Sequence, residues 1–94
     1  YYSTPEMRLE CNSDEEKFNI SKKAISYFST YYDCNTVDGV RVKFDDGWGL
    51  VRSSNTQPVI VCRFEANTLE RMNEIKSLIL DKLYEFGALK IGHK

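Results

Sequence analysis

One short stretch of the chain concentrates side chains that could do chemistry. Between two apolar runs, residues 51–61 read VRSSNTQPVIV. The planar guanidinium of Arg52 matches the geometry of a phosphate or carboxylate. The hydroxyls of Ser53, Ser54 and Thr56 add neutral donors beside it. Because a tight turn would need only glycine or Asn-Gly, this stretch predicts a loop that holds an anion.

The backbone of the same loop could take part in binding. Asn55 supplies an amide and tolerates a left-handed backbone angle, and successive N–H groups in such a loop can form an anion-binding nest. Nothing in the loop offers a general base or an activated nucleophile, so binding rather than catalysis is predicted. The alternative is a polar hairpin loop whose hydroxyls satisfy its own backbone.

Length and composition limit what the chain can be. Its 94 residues make one small domain, 1–94, and a hydrophobic content of 41% is enough for a modest core. The net charge of −1 offers no attraction for nucleic acid or an anionic membrane. No apolar run reaches the roughly 20 residues that span a bilayer. We therefore expect neither a nucleic-acid partner nor a membrane.

Cysteine and histidine are few and scattered. Cys11, Cys34 and Cys62 are widely spaced and fit neither a disulfide framework nor a zinc site. They indicate reduced thiols in a cytoplasmic protein. His93 is the single histidine and lies one residue from the end, which argues against a histidine-based mechanism.

Hydrophobic spacing predicts two amphipathic helices. The first covers residues 14–31 with Ser13 as its cap, and the second begins after Asn67 or Thr68 and stops at Gly87. The predicted apolar positions are Phe18, Ile20, Ala24, Ile25, Tyr27, Phe28, Tyr31 and Tyr32 on the first helix, and Leu69, Met72, Ile75, Ile79, Leu83 and Phe86 on the second.

Alternation of apolar and polar residues predicts the strands. Residues 7–11 read as a short half-buried strand, and four more strands lie between the helices. Among them, residues 40–45 alternate, Asp46-Gly47 is a hairpin signal, and Pro58 opens the last strand. Short turns imply an antiparallel meander with both helices on one face. The predicted fold class is α+β, a two-layer sandwich.

Nearly the whole chain resembles one enzyme family, most specifically in residues 38–66, DGVRVKFDDGWGLVRSSNTQPVIVCRFEA. The stretch is similar to the C-terminal domain of the α-D-phosphohexomutases, and closest to the phosphomannomutase/phosphoglucomutase branch. That family has an Asp-Gly-Val/Ile hairpin, a Gly-Trp strand and an Arg-x-Ser-Asn/Gly-Thr-x-Pro loop, which here runs from Arg52 to Pro58. The opening TPEMR resembles the lead-in to the same domain.

The resemblance implies a lid domain of a larger enzyme. The fold would be like that of the TATA-box-binding protein, in a piece of a four-domain parent with residues 1–5 as the remnant of a linker. The parent would interconvert hexose 6-phosphate and hexose 1-phosphate, using a phosphoserine and magnesium in its other three domains. This domain would hold neither catalytic residues nor a cofactor. It would grip the phosphate that is not being transferred through Arg52, Ser54, Asn55 and Thr56.

A stand-alone α+β module that binds an anion or another protein is the alternative function. The loop motif and the start of the chain without methionine favour the phosphosugar-binding domain.

Overall fold

An antiparallel sheet and two helices make up the fold. The computed structural model describes residues 2–36 and 39–89, so Tyr1, Asp38 and His93 lie outside its description. In chain order, the elements are β1 (Tyr2–Ser3), β2 (Met7–Glu10), α1 (Asp14–Tyr31), β3 (Asp33–Asn35), β4 (Val40–Phe44), β5 (Gly47–Ser53), β6 (Val59–Ala66) and α2 (Leu69–Phe86). The predicted α+β class is confirmed.

The strands form a meander that the N-terminal segment closes. β3, β4, β5 and β6 each pair antiparallel with the next, as predicted. β1 and β2 both pair with β6, on the edge that faces away from β5. They cover the backbone groups that an open edge would leave unpaired.

Part of the segment predicted to be a linker remnant, residues 1–5, is attached to the sheet. Tyr2 and Ser3 pair with the end of β6. Thr4 is buried, its N–H donates to Phe64 O at 2.9 Å, and its Oγ1 accepts the N–H of Phe64 at 3.2 Å. Residues 2–3 therefore belong to the sheet and Thr4 is bonded to it, because β6 offers them an edge that local sequence patterns do not reveal.

The turn between β4 and β5 lies one residue earlier than predicted. Phe44 pairs with Gly47, so Asp45 and Asp46 form the turn and Gly47 starts the strand. Gly47 has no positive φ. A Cβ at this position would lie 2.5 Å from Glu65 O on the neighbouring strand. The glycine is therefore required by close packing of backbone rather than by turn geometry.

Hydroxyl side chains start both helices. Ser13 Oγ accepts the N–H of Glu16 at 3.1 Å, and Thr68 Oγ1 accepts the N–H of Arg71 at 3.1 Å. Each bond satisfies one of the N–H groups that a helix start leaves without a partner. α2 ends at Gly87, whose φ of 126° is unfavourable for other residues. The predicted span of α1 and the predicted end of α2 are confirmed.

The core lies between the helices and one face of the sheet. Its fully buried side chains include Leu9, Ile20, Phe28, Val40, Val42, Ile60, Phe64, Ile75, Ile79 and Leu83. Three side chains predicted for the apolar stripes are exposed instead, namely Phe18, Tyr31 and Leu69. On α1 the buried stripe continues from Ile20 back to Lys17, and Phe18 is rotated by about 100° from that position.

Candidate anion-binding site

The polar segment, residues 52–58, joins β5 to β6. Its first two residues, Arg52 and Ser53, still belong to β5 and pair with β6. The turn itself comprises residues 54–58. The hairpin thus holds Arg52 on a regular strand beside the turn, and the other three predicted phosphate contacts lie together in the turn: Ser54, Asn55 and Thr56.

Ser54 organises the turn with its own side chain. Its Oγ accepts the N–H groups of Thr56 at 3.2 Å and Gln57 at 3.3 Å. Its N–H donates to Val59 O at 3.0 Å. The reading in which a hydroxyl satisfies the local backbone is therefore correct for Ser54, and the N–H groups of Thr56 and Gln57 are not free to form a nest. The Ser54 hydroxyl proton can still be donated outward.

The remaining predicted contacts are accessible to a ligand. Asn55 and Thr56 are exposed, and the side chain of Arg52 is 44% exposed. Arg52 Nη2 lies 4.0 Å from a carboxylate oxygen of Glu6, whose side chain is 46% exposed. Ion pairs this open to water contribute about 0–1 kcal/mol. A phosphate could therefore displace Glu6 from Arg52 at small cost.

A buried lysine supports the turn from the helix side. Lys17 on α1 donates from Nζ to Ser54 O at 2.7 Å and to Gln57 O at 3.1 Å. Lys17 is not among the residues predicted for the site, because lysine is normally a surface residue. A signal was present, since Lys17 continues the spacing of the buried Ile20, Ala24 and Phe28.

Strand β2 and the residue after it hold the second half of the turn. Arg8 Nη1 donates to Gln57 Oε1 at 2.7 Å. The N–H of Cys11 donates to Pro58 O at 2.8 Å. The segment is therefore bonded to three different parts of the fold, which are α1, β2 and β6. Such bonds restrict the turn before any ligand arrives.

A pocket of ≈ 380 Å³ opens beside the polar segment, lined by Arg8, Glu10, Cys11, Gln57, Pro58 and Val59. Burial, and then the negative charge of Glu16, raises the pKa of the Cys11 thiol. The reactive thiolate is therefore disfavoured near neutral pH. The pocket offers polar contacts next to the anion donors and no activated nucleophile.

The ligand chemistry of the site is set by its donor groups. Within residues 2–36 and 39–89, no three His, Cys, Asp or Glu side chains are grouped so that they could hold a metal ion. Over the same ranges, neither helix combines the length and the apolar character needed to cross a membrane. The polar segment itself presents guanidinium, hydroxyl and amide groups, which suit an anion.

Most of the chain is similar to known proteins. The family model described as phosphoglucomutase/phosphomannomutase, C-terminal domain, matches residues 6–82. A phosphomannomutase/phosphoglucomutase from Pseudomonas aeruginosa is 45% identical over 83 residues, which are 86% of this chain and 18% of the relative. A phosphoglucomutase from Neisseria meningitidis serogroup B is 38% identical over 77 residues, which are 80% of this chain and 17% of the relative.

A solved structure shares the fold. The crystal structure of a phosphoglucomutase/phosphomannomutase family protein from Burkholderia thailandensis matches with a TM-score of 0.73 at 33% identity. The match covers 90% of this chain and 18% of the other. The chain therefore spans less than a fifth of the length of these relatives. The matched residues 6–82 include both the polar segment and Lys17.

Proposed function

Because the chain belongs to the phosphoglucomutase/phosphomannomutase family, matching its C-terminal domain, we propose that the polar segment binds the phosphate of a hexose phosphate. In a complete enzyme the domain acts as a lid that grips the phosphate not being transferred. The reaction is the interconversion of hexose 6-phosphate and hexose 1-phosphate. We assign the phosphoserine and the magnesium that supply the transfer chemistry to other domains of such an enzyme.

Each donor has a distinct part in the proposed grip. The fork of Arg52 donates to two phosphate oxygens at once and carries the positive charge. Ser54 and Thr56 donate their hydroxyl protons, and Asn55 donates from its amide. Gln57 is already bonded to Arg8 through its side chain, and we assign it no phosphate contact.

The observation that carries the proposal is an exposed set of donors on a restrained turn. Asn55 and Thr56 face water, while the backbone on either side of them is bonded to Lys17, Val59 and Ser54 Oγ. Fixing one flexible residue costs about 1–2 kcal/mol. A turn that is ordered beforehand avoids part of that cost when a ligand binds.

Gripping a phosphate far from the reacting one helps catalysis indirectly. Contacts to a remote part of the substrate contribute binding energy that can close a lid and position the reacting group. The same contacts serve both directions of the reaction, because the substrate carries a phosphate at this site in either orientation.

Titration of the chain with inorganic phosphate and with glucose 1-phosphate, followed by ¹H–¹⁵N NMR, tests the proposal. One arginine and a few neutral donors on an open loop should give a dissociation constant in the millimolar range, or about −4 kcal/mol. The amides of residues 52–57 should shift first, and sodium chloride at equal ionic strength should not reproduce the pattern. Shifts that cluster on α2 or β3 would place the anion elsewhere.

A pair of threonine variants distinguishes a contact in the polar segment from the general effect of losing an exposed hydroxyl. Thr56→Ala removes one proposed donor and should weaken phosphate binding roughly 2- to 12-fold, the worth of one neutral hydrogen bond. Thr30→Ala removes an exposed hydroxyl on α1, which donates to Ser26 O at 2.7 Å, and should leave the affinity unchanged. Equal affinities in the two variants would exclude Thr56 from the grip.

A further inference from the structure

Lys17 is a lysine that the fold has taken out of water. Its side chain is 2% exposed, and it is the only charged residue among the buried ones that the structure describes. Besides the carbonyls of Ser54 and Gln57, its ammonium contacts Asp14 Oδ1 at 3.3 Å. The three N–H donors of the ammonium thus have three acceptors in reach. Burying a charge is costly unless it is paired and hydrogen-bonded in this way.

The two carbonyls that Lys17 bonds belong to the first and the fourth of the five residues in the turn. Ser54 is the first residue after β5, and Gln57 lies two residues before β6. One ammonium therefore bridges the turn, with Asn55 and Thr56 between the bonded residues. The carbonyls point inward toward α1, and these two intervening side chains are exposed.

Phe18 completes the surroundings of the ammonium. The Lys17 Nζ lies 4.6 Å from the centroid of the Phe18 ring. A cation above an aromatic ring is attracted to its face. This contact gives a reason for a phenylalanine that is 54% exposed at the start of α1.

We propose that Lys17 is a positioning residue for the polar segment. By bonding the turn from the side of α1, Lys17 sets the shape of the turn so that the donors of the polar segment converge on one anion. Its effect on the shape of the turn is independent of any ligand. Its effect on affinity rests on the proposed phosphate-binding function. Lys17 itself does not contact the phosphate.

Two variants and one control test the proposal on the 94-residue chain. Lys17→Met keeps an unbranched side chain and removes the ammonium. Lys17→Gln restores two neutral donors for the two carbonyls. Lys23→Met removes an exposed lysine from the same helix.

The first readout uses the ligand-free chain. In Lys17→Met the ¹H–¹⁵N NMR signals of residues 53–57 should shift and their amides should exchange faster, while signals of β3 and β4 stay in place. In Lys17→Gln the signal shifts and the amide exchange rates of the turn should lie between those of Lys17→Met and the unaltered chain. Lys23→Met should leave both unchanged. A folded Lys17→Met chain with unchanged turn signals overturns the proposal.

The second readout is the affinity for inorganic phosphate. Lys17→Met should weaken it by about tenfold, as when roughly one more turn residue must be ordered on binding. Loss of thermal stability without loss of affinity would show an ordinary structural lysine and would overturn the positioning role. If the unaltered chain binds no phosphate, the proposed function fails, whereas the first readout still decides whether Lys17 shapes the turn.

The unaltered chain provides a measurement that does not depend on the folding of a variant. The ammonium protons of Lys17 should exchange slowly with water and show nuclear Overhauser effects to residues 54–57. The ammonium of exposed Lys23 should show neither property. Identical behaviour of the two lysines overturns the proposal.

Discussion

At Arg52, the shape of the side chain should matter as much as its charge. Arg52→Lys keeps the positive charge but loses the planar pair of donors that matches two phosphate oxygens. In a complete enzyme that carries this domain, we expect kcat/KM to fall roughly 10- to 150-fold, as for the loss of one charged hydrogen bond. Steady-state kinetics in both directions should show equal losses, since under the proposed function the substrate presents a phosphate to Arg52 in either orientation.

Arg63→Lys is the matched control for that experiment. Arg63 is exposed on β6, in the same sheet as Arg52 and outside the polar segment. Its replacement should leave kcat/KM close to that of the unaltered enzyme. A near-normal kcat/KM for Arg52→Lys, or an equal loss in both variants, would contradict the bidentate grip.

The thiol of Cys62 should make the chain sensitive to alkaline pH. Complete burial raises the pKa of this thiol from about 9 to about 12. Between these values the unfolded chain has lost the thiol proton and the folded chain has kept it, so stability falls as pH rises. The loss should approach about 1.4 kcal/mol per pH unit within this window. Below pH 8 the thiol should contribute no pH dependence.

Comparison with Cys62→Ala isolates this effect from other groups that titrate at high pH. The variant leaves a cavity and should be less stable at pH 8, but it lacks the buried thiol. The stability difference between the two proteins, measured by urea unfolding, should therefore shrink from pH 9 to pH 11. A constant difference would mean that ionisation of Cys62 does not oppose folding.

Single residues also differ in how much of their role can be predicted from the sequence. Arg52, Ser54, Asn55 and Thr56 are recognisable because donors of one kind follow each other in the chain. Lys17 precedes the turn it supports by almost 40 residues, and its carbonyl partners leave no mark in the sequence. The role of Ser54 Oγ as an internal acceptor depends on the backbone path of the turn in the same way.

At the scale of elements, the start of α2 depends on a single hydroxyl. Thr68→Ala removes the acceptor for the N–H of Arg71. We expect the free energy of unfolding to fall by about 1 kcal/mol, the usual worth of such a cap. Urea unfolding should measure the loss, and Thr30→Ala, within the last turns of α1, should change stability by less than about 0.5 kcal/mol.

If the Thr68 cap contributes little to stability, Thr68→Ala should be as stable as Thr30→Ala. Equal stabilities of the two variants would mean that other contacts hold the N-terminus of α2. One such contact is made by Arg71. Arg71 Nε donates to Asp46 Oδ1 at 2.9 Å, so the first turn of α2 is also attached to the turn between β4 and β5. The double variant Thr68→Ala, Asp46→Ala should then lose more stability than the sum of the two single variants, because Thr68 and Asp46 both bond Arg71.

Helices were easier to predict than turns and edges, for physical reasons. The bounds of α1 and its cap follow from Ser13 and a repeating apolar stripe, which are local features. The position of the turn after Phe44 depends on how closely Gly47 must approach Glu65 O, which is a tertiary requirement. The strand Tyr2–Ser3 exists because β6 has a free edge some 60 residues later in the chain.

At the scale of the whole molecule, we expect the 94-residue chain to fold without being an active mutase. Most of its buried apolar residues form one continuous cluster with members from both helices and the sheet. The polar segment presents guanidinium, hydroxyl and amide groups, and burial raises the pKa of the Cys11 and Cys62 thiols, which disfavours the reactive thiolate. Purified chain should convert neither mannose 6-phosphate nor glucose 1-phosphate in a coupled assay, and conversion above the enzyme-free rate would refute this.

Strand β6 pairs with β5 on one edge and with β1 and β2 on the other, and this arrangement predicts the order in which the strands pair during folding. Hairpins β4–β5 and β5–β6 join neighbours in the chain, whereas β2 pairs residues 7–10 with residues 59–62. Closing so long a loop costs more entropy than closing a hairpin, so the meander should form first and the N-terminal strands should dock last. By the same argument they should open first. Native-state hydrogen exchange should therefore find β1 and β2 opening at a lower free energy than the β5–β6 pair. The N-terminal segment would then act as a latch on a sheet whose other strands are already paired.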